Sequence, residues 1–118
     1  MNVLHEKLIH RVDAPSIVPA AMVAEIASYR EAVCACWRYR RDEHRTHVTL
    51  AEMTGMKPSH LSHYLNPNSC DKSGRPLREM PAKYLTDFEI AAGNTFVTQW
   101  LAMQSKLTIL ESMIAEAA

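Results

Sequence analysis

Apolar positions recur along this chain at intervals of three and four residues. Nowhere do they alternate with period two for long enough to make a strand. The pattern predicts an all-α chain. Ser16 to Ala27 reads as a first helix with Met22, Val23 and Ile26 on one side. Ser28-Tyr29-Arg30-Glu31 is a capping box that starts a second helix, in which Tyr29, Val33, Cys36 or Trp37, and Arg40 follow an i, i+4, i+7 path. A third helix starts at Thr46 or Thr49. Thr49 with Glu52 makes the better capping box, but Thr46 leaves the two turns needed before Gly55 and is chosen. The next helix runs from about Pro58 to Leu65 and is ended by Asn66-Pro67.

Residues 66–80 form the longest loop. Pro81 opens a helix to about Ala92, buried along Leu85, Phe88 and Ala92 and closed by Gly93. Asn94 or Thr95 caps another, in which Phe96, Val97, Trp100, Leu101 and Gln104 share a face. Thr108-Ile109-Leu110-Glu111 is a third capping box, opening a last helix with Ile109, Leu110, Met113, Ile114 and Ala117 apolar. Residues 1–15 read as an N-terminal arm or frayed lead-in, and 16–118 as one helical domain.

The pair of short helices within 47–66 is the most informative part of the pattern. Ala51 is small where the helices cross. Gly55 follows four residues later, where a turn of positive φ is cheap only for glycine. Met56 plugs the turn, and Leu50, Thr54, Leu61, Tyr64 and Leu65 face inward at helical spacing. Ser59, His60, Ser62, His63 and Asn66 are left outside. All can form hydrogen bonds and none is acidic, which is the composition of a helix that faces phosphate and base edges. An ordinary helical hairpin with its polar side in water is the bland alternative.

Composition sharpens this reading. The chain has 118 residues, 47% of them apolar, enough for a modest core. Its net charge is zero, but the charge is uneven. From Trp37 to Lys83 there are nine Lys/Arg against five Asp/Glu, a balance of +4, while the segments before and after carry −1 and −3. Basic residues gathered around the helical pair attract DNA locally even on a neutral protein. Arg38, Arg40, Arg41 and Arg45 crowd the end of the second helix, either complementing its dipole or touching phosphates. Lys72, Arg75 and Arg78 in the loop either contact the DNA backbone or belong to a solvated connection.

Other chemistries are disfavoured. Three cysteines make no disulfide framework and suit a reducing cytoplasm. His60 and His63 are three apart, but no further ligands complete a metal site, and no cofactor is expected. No apolar run approaches membrane-spanning length, and the N-terminus has no secretory pattern. No Ser/His/Asp arrangement, phosphate-cradling glycine loop or paired carboxylates at a fixed site suggests an enzyme.

The run from Leu50 to Asn66 resembles the helix-turn-helix of lambda repressor and Cro-like, or XRE-type, transcriptional regulators. The tail looks like a branch of that family found in prophages of proteobacteria: Pro81-Ala82-Lys83-Tyr84-Leu85, Phe88-Glu89, Gly93-Asn94-Thr95 and Gln99-Trp100-Leu101. Together they cover roughly residues 28–111. The resemblance implies a five-helix DNA-binding domain, here with extra N-terminal and C-terminal helices, that binds a palindromic operator as a dimer. Carried over by position, it implies that Ser59 faces bases and that His47 and Asn66 lie near phosphates. Many relatives have Gln where this chain has Pro58, and the loop 66–80 is longer than in the simplest members.

The expected function is therefore sequence-specific DNA binding in transcriptional regulation, as a phage repressor-like protein. Lys57, Ser59, His60, Ser62 and His63 are the candidates for reading base edges. Arg45, His47, Asn66, Lys72, Arg75 and Arg78 are the candidates for phosphate contacts. Phe96, Trp100, Leu101, Leu110, Met113 and Ile114 are the candidate homodimer surface, the alternative being that these helices only cap the core. A phage-encoded protein-interaction module, an antirepressor or adaptor on the same scaffold, is the rival. His47, His60 and His63 titrate near neutrality when unperturbed, so acid should tighten DNA binding if they face phosphate.

Overall fold

The computed structural model describes residues 14–106 and 109–117. Their regular structure is helical: α1 Ala20–Ala24, α2 Tyr29–Arg38, α3 His47–Thr54, α4 Pro58–Tyr64, α5 Leu85–Ala92, α6 Phe96–Ser105 and α7 Ile109–Ala117, with a 3-10 turn at Ala82–Tyr84 leading into α5. Among the described residues the only β pairing is two isolated bridges. Helix α6 is central, with α2 and α1 packed against it, and α3 lies on α5. Val23, Val33, Cys36, Leu50, Leu61, Phe88, Phe96 and Val97 fill the core between them.

Local signals explain most of the boundaries. The Ser28 hydroxyl accepts the Glu31 N–H at 3.2 Å, and the Glu31 carboxylate reaches back to the Ala27 N–H at 2.8 Å. Thr46 accepts the Thr49 N–H at 3.3 Å, so α3 starts where the two-turn argument puts it. Gly55 and Gly93 end α3 and α5 with left-handed φ of 76° and 84°. Both residues expected at the start of α6 take part. Thr95 is the boundary residue, and the buried Asn94 side chain accepts the Phe96 N–H at 3.1 Å while donating to the carbonyls of Cys36 and Tyr39.

Two expectations need correction. The first helix does not run from Ser16 to Ala27 but only over Ala20–Ala24. Pro19 sits before it in an extended conformation, and residues 16–18 dock as an extended segment instead. The Ser16 N–H donates to the Gly93 carbonyl, and the Gln99 side chain bonds both the N–H and the carbonyl of Val18. A polar side chain far along the sequence thus satisfies backbone groups that a helical turn would otherwise have paired. The second correction concerns the expected dimer surface. Phe96 and Trp100 are core residues, 1% and 9% exposed, because central α6 turns that face inward. Leu101, Met113 and Ile114 are exposed, at 40%, 61% and 60%. The Leu110 side chain, Thr108 and residues 1–13 lie outside what the structure describes.

Candidate nucleic-acid interface

Helices α3 and α4 are joined by Gly55-Met56-Lys57. Leu50, Ala51 and Thr54 on α3, Met56 in the turn, and Leu61 and Tyr64 on α4 are buried, as their spacing predicts. The Thr54 hydroxyl donates to the Leu50 carbonyl at 2.7 Å and accepts the Met56 N–H at 3.4 Å, which carries a buried hydroxyl through the turn without loss. Pro58 occupies the first turn of α4, where an N–H would have had no helical partner.

The outer side of α4 carries Lys57, Ser59 and Ser62 exposed, with His60 and His63 half-buried. The Ser62 hydroxyl donates to the Ser59 carbonyl at 2.8 Å, leaving its lone pairs to accept. His60 lies edge-on to Tyr64, ring centres 6.4 Å apart. His63 Nδ1 accepts the Arg78 N–H at 3.2 Å, which leaves Nε2 as its donor. Partial loss of water and the nearby charges of Arg78, Lys57 and His63 lower the pKa of His60. The groups acting on His60 are thus all cationic or can become so. The base-edge candidates form one surface, and Arg78 from the loop joins it.

The phosphate candidates divide. Lys72, Arg75 and Arg78 are exposed. His47 is exposed, its ring 5.9 Å from that of Trp37. The Asn66 amide oxygen accepts the Asn68 N–H at 2.9 Å, closing a turn at the end of α4. Arg45 donates to the Ala91 carbonyl at 2.6 Å, tying the start of α3 to α5. Two other arginines of the basic cluster are likewise engaged within the fold. Arg40 lies 4.5 Å from the Trp37 ring centre and donates to the carbonyls of Trp37, Glu43 and Arg45. Arg41 donates to Ser16 Oγ at 2.6 Å and to the carbonyls of Ala14 and Gly93.

Residues 69–77 are a tight hairpin rather than an open loop. Leu77 N–H donates to the Ser69 carbonyl at 2.8 Å and Asp71 N–H to the Arg75 carbonyl at 2.9 Å, with Cys70 and Pro76 bridged antiparallel. The Asp71 carboxylate accepts the N–H groups of Ser73 and Arg75, and Gly74 takes φ 81°. Lys72 and Arg75 therefore ride on an ordered turn.

The sequence reading missed Arg30. It is 5% exposed, and its guanidinium donates to four backbone carbonyls: His63 at 2.6 Å, Asn66 at 2.9 Å, Leu77 at 3.4 Å and Arg78 at 2.8 Å. Its Nε lies 3.4 Å from the exposed Glu79 carboxylate, close enough for charge pairing though not aligned as a hydrogen bond. A signal was present: Arg30, Val33 and Trp37 share an i, i+3, i+7 path, so a cation stood on an inward line.

Burial raises the thiol pKa of Cys34 and, much more strongly, of Cys36, which keeps both protonated. Among the described residues no group of three or more His, Cys, Asp or Glu could hold a metal ion, and no helix is long and apolar enough to cross a membrane. No protein-family model, curated protein or solved structure matches the chain.

Proposed function

We propose that this chain is a sequence-specific double-stranded DNA-binding protein that regulates transcription, with α4 as its reading helix. The observation that carries the proposal is the outer surface of α4: Ser59, Ser62, His60 and His63 beside Lys57 and Arg78, with no carboxylate on the helix itself. Exposed hydroxyls and imidazoles read base edges, and the cations set affinity and register on the backbone. Lambda repressor-like regulators present a helix in the same way, and the sequence of the pair resembles theirs.

Two copies on a palindrome complete the proposal. Short side chains such as serine give modest discrimination per half-site. Pairing two sites is what brings affinity to about 10⁻⁸ M at physiological salt. Leu101, Met113 and Ile114 are exposed apolar groups that could make that contact, with Met103 exposed on the same helix as Leu101. The same exposed groups favour the rival, a protein-interaction module that does not use DNA.

Selection of bound duplexes from random DNA, followed by mobility shift over a salt series, separates the two. The expected result is an enriched palindrome whose binding weakens steeply with salt, by a log–log slope of about −0.9 per phosphate contacted. No enrichment, or affinity flat in salt, overturns DNA binding.

A further inference from the structure

We infer that Arg30 is a positioning residue that locks the reading helix and the 69–77 hairpin into one rigid surface, so that Lys72 and Arg75 engage the phosphate backbone of the duplex that α4 reads. The inference rests on the DNA-binding reading and adds to it Arg30, a buried residue that the reading does not require.

The geometry is specific. The carbonyls of His63 and Asn66 lie in and just beyond the last turn of α4, where helix carbonyls run out of intrahelical partners. The carbonyls of Leu77 and Arg78 belong to the segment leaving the hairpin. One planar guanidinium bridges the two sets, with NH1 on the α4 pair and NH2 on the hairpin pair. The Arg78 N–H donates to His63 Nδ1 and ties the same two segments a second time. Arg30 itself is held by α2, which packs on central α6. The hairpin therefore does not swing on its fifteen-residue excursion from Asn66 to Met80; its root is fixed to the helix it follows. Lys72 and Arg75 are exposed within its turn. A cation presented on a fixed support contacts phosphate without the ordering cost that a free loop carries. Lysine at position 30 would keep the charge but not the fork that reaches both sets.

Four proteins test this on the duplex selected from random DNA: wild type, Lys72→Ala/Arg75→Ala, Arg30→Lys and the triple variant that combines them. The tip variant changes exposed side chains only. Its salt slope should fall by about 1.8, two phosphate contacts' worth. Arg30→Lys should lose the same amount, and the triple variant no more than either, because one effect acts through the other. Hydrogen exchange at the Arg78 and Leu77 amides should be as slow as in α2 in the wild type and accelerate at least tenfold in Arg30→Lys. An unchanged slope in the tip variant, additive losses in the triple variant, or fast wild-type exchange at these amides overturns the inference. If Arg30→Lys does not fold, the tip variant and the wild-type exchange decide the question. A wild type that binds no DNA instead overturns the function proposed above.

Discussion

At the scale of single residues, chemistry that stays local is the most legible. Gly55 and Gly93 both end helices in the left-handed region, yet they differ in surroundings. A Cβ on Gly55 would meet nothing within 4 Å, whereas one on Gly93 would lie 2.7 Å from Arg41 Cβ. Gly55→Ala should therefore cost about 1–2 kcal/mol, the conformational penalty alone, and Gly93→Ala should cost clearly more. Urea denaturation of the two variants checks the order; equal losses would contradict it. His60 gives a second residue-scale prediction. Desolvation and its cationic neighbours lower its pKa in the free chain, so it is neutral near pH 7. If α4 binds DNA with His60 close enough to a phosphate to feel its charge, the charged form is favoured, binding takes up a proton, and affinity should rise from about pH 8 to about pH 6. His60→Gln should flatten that rise in a mobility-shift titration at the two pH values.

At the scale of elements, caps and breaks were readable and the docking of polar side chains was not. Glu89 on α5 is an example. Its carboxylate accepts the Thr98 N–H at 3.0 Å and the Thr98 hydroxyl, tying α5 to the first turn of α6, while its burial raises its pKa despite those bonds. A carboxyl with a raised folded pKa binds its proton more tightly in the folded state. Its contribution to stability is full below the unfolded pKa and declines as pH rises through the folded pKa. Glu89→Gln retains a carbonyl acceptor for Thr98 and has no charge to bury. The variant should gain on the wild type between about pH 4 and about pH 7, where carboxylates titrate; thermal melts across that range measure the difference. Nothing in the periodicity of α5 or α6 announces this pair, because the two residues meet only once Gly93 has turned the chain. The same reason hid the extended segment at 16–18, whose partner Gln99 is 81 residues from Val18.

At the scale of the whole molecule, burial sorts the apolar residues of the last helices into two groups. Phe96 and Trp100 belong to the core, so Trp100→Ala should cost about 3–5 kcal/mol. Met113 and Ile114 are exposed, so Met113→Asp/Ile114→Asp should abolish self-association while leaving the melting temperature nearly unchanged at protein concentrations low enough for the wild type to be monomeric. Sedimentation at several concentrations reads the second effect. A wild type that stays monomeric would remove the dimer from the proposal, and a large loss of stability in the double variant would assign those side chains to the fold. The sequence showed that this face of α6 is apolar. Which part of it remained for a partner depended on the packing of α1 and α2 against that helix.

The sequence by itself determined where the helices of the central pair begin and end, because Thr46, Gly55 and Pro58 act on backbone groups within a turn of themselves. It also determined that α4 would carry serines and imidazoles without a carboxylate. Only the tertiary structure decided which cations stay available to a partner. Arg30, Arg40, Arg41 and Arg45 donate to carbonyls within the fold, Arg41 while remaining exposed, whereas Lys57, Lys72, Arg75 and Arg78 stand exposed. A guanidinium has five donors and no preference for sequence neighbours, so its partners are whichever carbonyl oxygens the finished packing brings within its reach, including ones that already accept a backbone N–H, such as those of His63, Trp37 and Gly93.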